Sequence, residues 1–189
     1  LLFIMTLLCG SIGRTEARSV TKIELGGNSM LQVGTNATIT ATVSPSDAAN
    51  KALKWESSNV GVVEIVGSNN NNAFIKAYST GSAWITATAQ DGSGVTGSIR
   101  ITVIRLINKI ILGIPGSFLD IGVTTELPVR VEPSDATGKD DLNWATSNPD
   151  VISVTSTGQI TTHKTGTAVI TATAKDGSGV SGQLAIKVH

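Results

Sequence analysis

The chain is poor in the residues that most enzyme chemistry requires. One of its 189 residues is cysteine and two are histidine. No disulfide can therefore close within it, and Cys/His zinc sites, Cys/His nucleophile pairs and Ser/His/Asp triads lack their components. Cys9 lies in an apolar N-terminal run, and His163 and His189 stand apart from any acidic or cysteine pair. Acidic and basic residues number 14 each, for a formal net charge of zero, so nucleic acid or an anionic membrane surface would find no basic patch to bind. Aromatic residues make up only 4 %. What the chain does have is Thr, Val, Ile, Ala and Gly in nearly every segment, a mixture that favours strands over helices.

The N-terminus reads differently from the rest. "LLFIMTLLCG" (Leu1–Gly10) is apolar but far shorter than the roughly 20 residues of a membrane-spanning helix, and the polar "SIGRTEARS" follows it. With Thr15 two places before Ala17, this resembles the apolar region and cleavage region of a secretion signal whose charged start is missing. Three other readings stand beside it: lipidation at Cys9, which Leu8 fits poorly because a small residue usually precedes an acylated cysteine; a buried apolar strand or helix; and an assembly segment that packs into a neighbouring subunit. Residues 1–19 are thus read as a leader, with membrane contact only through it or through a lipidated Cys9.

After the leader the chain is one unit written twice. "VSPSDAANKALKWESSN" from Val43 matches "VEPSDATGKDDLNWATSN" from Val131, and "GSAWITATAQDGSGVTGSIRITV" from Gly81 matches "GTAVITATAKDGSGVSGQLAIKV" from Gly166. The offset is 88 from Pro45 to Pro133, 89 from Trp55 to Trp144 and 85 from Asp91 to Asp176. The first copy is therefore four residues longer between its Trp and its Asp, at "GSNNNN" (Gly67–Asn72), and such length variation marks an exposed loop. Within each copy the period is two: Ile39, Ala41, Val43 and Leu127, Val129, Val131 alternate with polar neighbours, as do Ile85, Ala87, Ala89 and Ile99, Ile101, Val103. One face is apolar and the other polar, the pattern of antiparallel strands packed on one side. With turn signals every 8 to 12 residues, about seven strands per copy predict an all-β sandwich. Pro128 interrupts one of these strands and predicts a bulge or an unpaired position, because it has no N–H for a ladder.

Both copies also carry a G-x-G-x-x-G spacing, at Gly92, Gly94, Gly97 and at Gly177, Gly179, Gly182. A dinucleotide-binding turn needs a helix after the third glycine, whereas "SIRITV" and "QLAIKV" follow here with strand alternation. The phrase "DGSG" reads instead as a hairpin, with Asp91 or Asp176 starting the turn through its carboxylate and the first two glycines supplying positive φ. Gly97 and Gly182 mark a bulge or a close approach in the returning strand.

With "VSPSDA", "LKWESSN" and "GSAWITATA" in one copy and "VEPSDA", "LNWATSNPDVISV" and "GQITTHKTGTAVITATA" in the other, each copy resembles a bacterial immunoglobulin-like domain of group 2. Such modules occur in tandem in bacterial surface proteins, intimin-like adhesins and phage virion proteins. The resemblance covers about residues 20–189 and implies two tandem immunoglobulin-like antiparallel β-sandwiches, at 20–104 and 105–189. It implies a secreted, cell-surface or virion-surface module that spaces, stiffens or adheres and has no catalytic residues or cofactor. Its partners would be neighbouring immunoglobulin-like domains or identical subunits, as in a stalk, fibre or filament, or else a surface glycan or host protein.

Candidate residues follow from the repeat. Trp55 and Trp144, at equivalent positions, are read as core tryptophans of the strand that fills the space between the sheets. Trp84 is out of phase with Ile85, Ala87 and Ala89 and so belongs on the outer face, where the second copy has Val169. It either anchors a sugar or protein partner, together with the loop residues Asn70 and Asn71, or is covered by the Gly67–Asn72 loop or a neighbouring domain. Asp135, Asp140, Asp141 and Asp150 raise calcium as a candidate, against a reading as solvated loop charges. Asn36-Ala37-Thr38 is a glycosylation sequon, read as incidental. The junction "ITVIRLINKIIL" (Ile101–Leu112) lacks the Gly, Pro and Ser of a flexible tether, which predicts limited bending between the copies.

Overall fold

The computed structural model describes residues 17–113 and 118–189; the readings that fall on residues 1–16, those for Cys9 included, lie outside the described residues. Among the described residues every regular element is a strand. The first copy comprises β1 (Lys22–Gly26), β2 (Met30–Gln32), β3 (Asn36–Ser44), β4 (Leu53–Ser57), β5 (Val63–Ser68), β6 (Asn72–Ala77), β7 (Gly81–Ala89) and β8 (Thr96–Ile104). They form two four-stranded sheets, ordered β1-β3-β6-β5 and β2-β8-β7-β4. All pairings are antiparallel except that of β2 with β8, a three-residue edge strand that raises the count above seven.

The alternation decides which side of each strand faces inward. Along β7, Ala83, Ile85, Ala87 and Ala89 are buried while Trp84 points out. Ile39 and Ile75 from one sheet meet Ile85 and Ile101 from the other in a single cluster. Burying side chains of this size contributes about 1.5–3 kcal/mol each, and it replaces the disulfide that the chain cannot make. A second cluster, with Val20, Ile23, Leu53 and Ala87, fills the other end. Leu25 and Trp55 pack against both clusters and join them.

The second copy repeats this plan with one break. Its strands are β9 (Lys109–Leu112), β10 (Thr124–Glu126), β11 (Val129–Glu132), β12 (Leu142–Thr146), β13 (Ile152–Val154), β14 (Gln159–Thr162), β15 (Gly166–Ala174) and β16 (Ser181–Val188). The continuous β3 of the first copy becomes two pieces: β10 pairs with β14, and β11 pairs with β9. Pro128 stands at the break, where a proline has no N–H to continue a ladder. A bridge of Leu119 with Val188 takes the place of β2 beside β8. One cluster, from Ile107 to Val188, forms the core.

Trp55 and Trp144 face inward but are half-buried rather than enclosed. They lie on β4 and β12, at one edge of their sheets, so part of each indole meets loop instead of the opposite sheet. Gly158 lies flat on the Trp144 ring: a Cβ there would fall 2.5 Å from Cζ2.

The third glycine of each triplet sits where main chains nearly touch. A Cβ on Gly97 would lie 2.6 Å from the Ile23 carbonyl oxygen, and one on Gly182 would lie 2.5 Å from that of Ile110. The first strand and the last strand of each sandwich therefore approach at backbone distance, and only glycine leaves room. Gly92, with φ of +84°, has open space around it. Gly97→Ala should accordingly destabilise the first copy by about 3 kcal/mol or more, because backbone must move, whereas Gly92→Ala should cost about 1–2 kcal/mol for left-handed strain alone. Urea unfolding of the two variants side by side checks the order.

Candidate functional site

The "DGSG" hairpin does more than turn the chain. In the first copy the Asp91 carboxylate accepts the Ser93 amide at 2.9 Å with one oxygen and the Val20 amide at 2.6 Å with the other. The second copy repeats both contacts, with Asp176 accepting from the amides of Ser178 at 2.9 Å and Ile107 at 2.6 Å. The carboxylate thus shapes its own turn and holds the segment entering the sandwich, roughly 70 residues upstream, against the last hairpin. Gly92 and Gly94, like Gly177 and Gly179, have φ between +72° and +86°, which lets the loop fold back under the carboxylate.

The surroundings favour the charged form. The Ser93 hydroxyl, the Val20 amide and the Ser93 amide hold the Asp91 carboxyl below its ordinary range against slight desolvation. For Asp176 burial pushes upward, but the Ile107 amide together with the Ser178 hydroxyl and amide outweighs it, and the net shift is downward.

Arg18 and Arg105 are a repeated pair that a reading by loops and strands overlooks. Arg18 meets Asp47 at 3.0 Å and Arg105 meets Asp135 at 3.4 Å. Their carbonyls accept the amides of Ala49 and Thr137 at 2.9 and 2.8 Å. The signal was available in "RSVTKIEL" and "RLINKIIL", which align from those arginines.

Trp84 is 51 % exposed. The Asn-rich loop does not cover it, since that loop joins β5 to β6 in the opposite sheet; the reading of Trp84 as covered by this loop is corrected accordingly. Around the indole the outer face of β7 and β8 is polar, with Arg100 directly across and Thr86 bonded to Ser98 at 2.9 Å.

The Asn-rich loop is a built turn. The Asn69 side-chain oxygen accepts the amides of Asn71 and Asn72, and the Asn69 amide donates to the Asn72 carbonyl. Two of its carbonyls point inward: that of Asn69 accepts Trp55 Nε1 at 3.0 Å and that of Asn71 accepts the Ala41 amide at 2.7 Å. Asn70 and Asn71 expose their side chains.

In the second copy the hairpin is shorter, and the equivalent place is a cavity of about 520 Å³ lined by Val129, Val131, Trp144, Ser156 and Thr157, with Arg130, Lys139 and Asp140 at its margin. Among the described residues Asp135, Asp140, Asp141 and Asp150 do not converge. Each faces its own cation, Arg105, Lys139, Lys175 and Lys164 respectively, and no group of three potential metal ligands forms.

Two antiparallel sandwiches of immunoglobulin type, each fastened at its entry by an aspartate from its last hairpin, define the architecture. The sequence matches the model of the bacterial Ig-like domain (group 2) at residues 19–99 and 117–183, and the chain belongs to that family. It is 36 % identical over 183 residues to an uncharacterized protein of Clostridium acetobutylicum, covering 94 % of this chain and 18 % of that protein. It is 30 % identical over 151 residues to an Ig-like virion protein of Serratia phage KSP90, covering 77 % and 56 %. The chain therefore spans less than two thirds of the length of either relative. In fold it is similar to the crystal structure of murine CEACAM1b, with a TM-score of 0.51 at 10 % identity over 89 % of this chain and 99 % of that one.

Replacing Asp176 with Ala leaves the buried Ile107 amide without an acceptor and should cost about 1–3 kcal/mol, read as a lower denaturation midpoint of the second copy. Since both carboxyls are lowered in the folded state, they contribute stability above their unfolded value, near pH 4, and lose it as pH falls through the depressed folded value. Melting followed from pH 6 to pH 2 should show this loss, and a D91N/D176N protein should show less of it.

Proposed function

We propose that the chain is a non-enzymatic segment of a bacterial surface or virion-surface protein, acting as a rigid spacer or stalk that carries or contributes to adhesion. The observation that carries the reading is the junction. Val33 N–H donates to the Ile104 carbonyl at the end of the first copy. Directly afterwards, the Arg105 amide donates to the Thr137 hydroxyl, Ile107 donates to Asp176 and Asn108 donates to the Glu132 carbonyl. Every connecting residue but Leu106 is tied into the second sandwich through its backbone, so little chain is left to act as a tether. The relatives support either a bacterial or a phage setting, and assembly as a fibre or filament subunit belongs to the same reading.

A second reading rests on Trp84. An indole 51 % exposed amid hydroxyls and Arg100 presents an apolar face within a polar frame, the composition of a sugar or protein contact.

Backbone ¹⁵N relaxation on the two-sandwich chain tests the first reading. Correlation times in both copies that match one elongated body of 19.4 kDa are the expected result, and the shorter times of separate sandwiches of half that mass would overturn it. For the second, a glycan array probed with the chain and with Trp84→Ala should show binding that the substitution abolishes; binding that survives it rules Trp84 out.

A further inference from the structure

The two copies differ most at one place, and the first shows what the second lacks. Val129 occupies the position of Ala41, and Trp144 that of Trp55. In the first copy the donors at these positions, the Ala41 amide and Trp55 Nε1, are taken by the carbonyls of Asn71 and Asn69. In the second copy the loop is four residues shorter, and β14 pairs only as far as Glu126.

The orientation of the Val129 amide follows from the ladder. Gly113 N–H donates to the Pro128 carbonyl, and successive residues of an antiparallel strand alternate in direction. The main-chain groups of Val129 and Val131 therefore point away from β9. Among the described residues no hydrogen bond reaches the Val129 amide from that side, and none reaches Trp144 Nε1. Both residues line the same 520 Å³ cavity. The charges at its margin are paired locally, Arg130 with Glu132 at 2.9 Å and Lys139 with Asp140 at 3.1 Å, which leaves no net demand for a charged ligand.

We infer that the edge of β11, with Trp144 beside it, is a docking site for an uncharged, Asn-rich turn of a partner polypeptide, whose carbonyls two residues apart accept from Val129 N–H and Trp144 Nε1–H. The first of these contacts continues the edge of β11, as the Asn71 carbonyl does for β3 at Ala41. The chemistry of the turn is that of Asn69–Asn71, which fills the equivalent place within the first copy: small polar side chains and free main-chain carbonyls. In the first copy the loop occupies this place and leaves a smaller cavity of about 240 Å³ beside Ala41, Val43, Lys51 and Asn71, in which the Ala41 amide and Trp55 Nε1 are already taken.

A blocked peptide of sequence GSNNNNA, copied from residues 67–73, is the probe. Titrated to millimolar concentration into the ¹⁵N-labelled chain, it should shift the Val129 amide and the Trp144 indole resonance while leaving Ala41 and the Trp55 indole unmoved. Val129→Pro removes the outward N–H and should weaken the Trp144 response about tenfold, the worth of one hydrogen bond. A chain with residues 66–72 grafted in place of 155–157, which restores the four-residue difference, should lose the response altogether. No shift at Val129 and Trp144, equal shifts in both copies, or shifts produced by an oligosaccharide such as xylotetraose but not by the peptide would each overturn the inference.

Discussion

Each sandwich depends on a carboxylate that reaches across the fold. Asp91 and Asp176 belong to tight turns, and a turn aspartate alone would be a local matter. Here the second oxygen of each takes the amide of Val20 or Ile107 at 2.6 Å, the residue from which the first strand departs. The first strand is thereby aligned beside the last, and that alignment is what brings the Ile23 and Ile110 carbonyls onto Gly97 and Gly182. Turn, entry segment and close approach form one connected constraint. It ties the entry segment to the last hairpin with hydrogen bonds and a glycine, a different link from the inter-sheet disulfide of many immunoglobulin domains.

The copies show how much freedom that constraint leaves elsewhere. With the entry and the last hairpin fixed, the second copy tolerates a proline in the strand that is continuous in the first, and it tolerates a shortened hairpin beside it. Both departures fall on the same sheet, while β12, β15 and β16 keep the registers of β4, β7 and β8. A third departure lies on the other sheet, where the Leu119–Val188 bridge stands in place of β2.

Much of the fold was legible because its signal is local. The alternation of Ile85, Ala87 and Ala89 states which face is inward, and the helix that a phosphate-binding turn would need is visibly missing after Gly97. What escaped was non-local. Nothing in "DGSG" names Val20 as a partner across the sandwich. Trp84 could be placed on an outer face by phase, but phase does not say which sheet the Asn-rich loop belongs to, so cover by that loop stood among its readings although the loop meets Trp55 instead. The half-burial of Trp55 and Trp144 likewise depends on strand order, which puts β4 and β12 at sheet edges and cannot be read from either strand alone. The open cavity beside Trp144 had a trace in the sequence, the four-residue length difference. Its meaning needed the first copy's hydrogen bonds to interpret.

That length difference touches no core residue and costs little chain entropy, the kind of change that surface loops accumulate freely. In this scaffold it decides whether a main-chain amide and an indole are satisfied from within. Repeats that share a core are therefore not interchangeable units: loop length alone can make one repeat self-sufficient and leave its neighbour incomplete, and a tandem array can carry a pattern of such differences along its length without altering a single packed side chain.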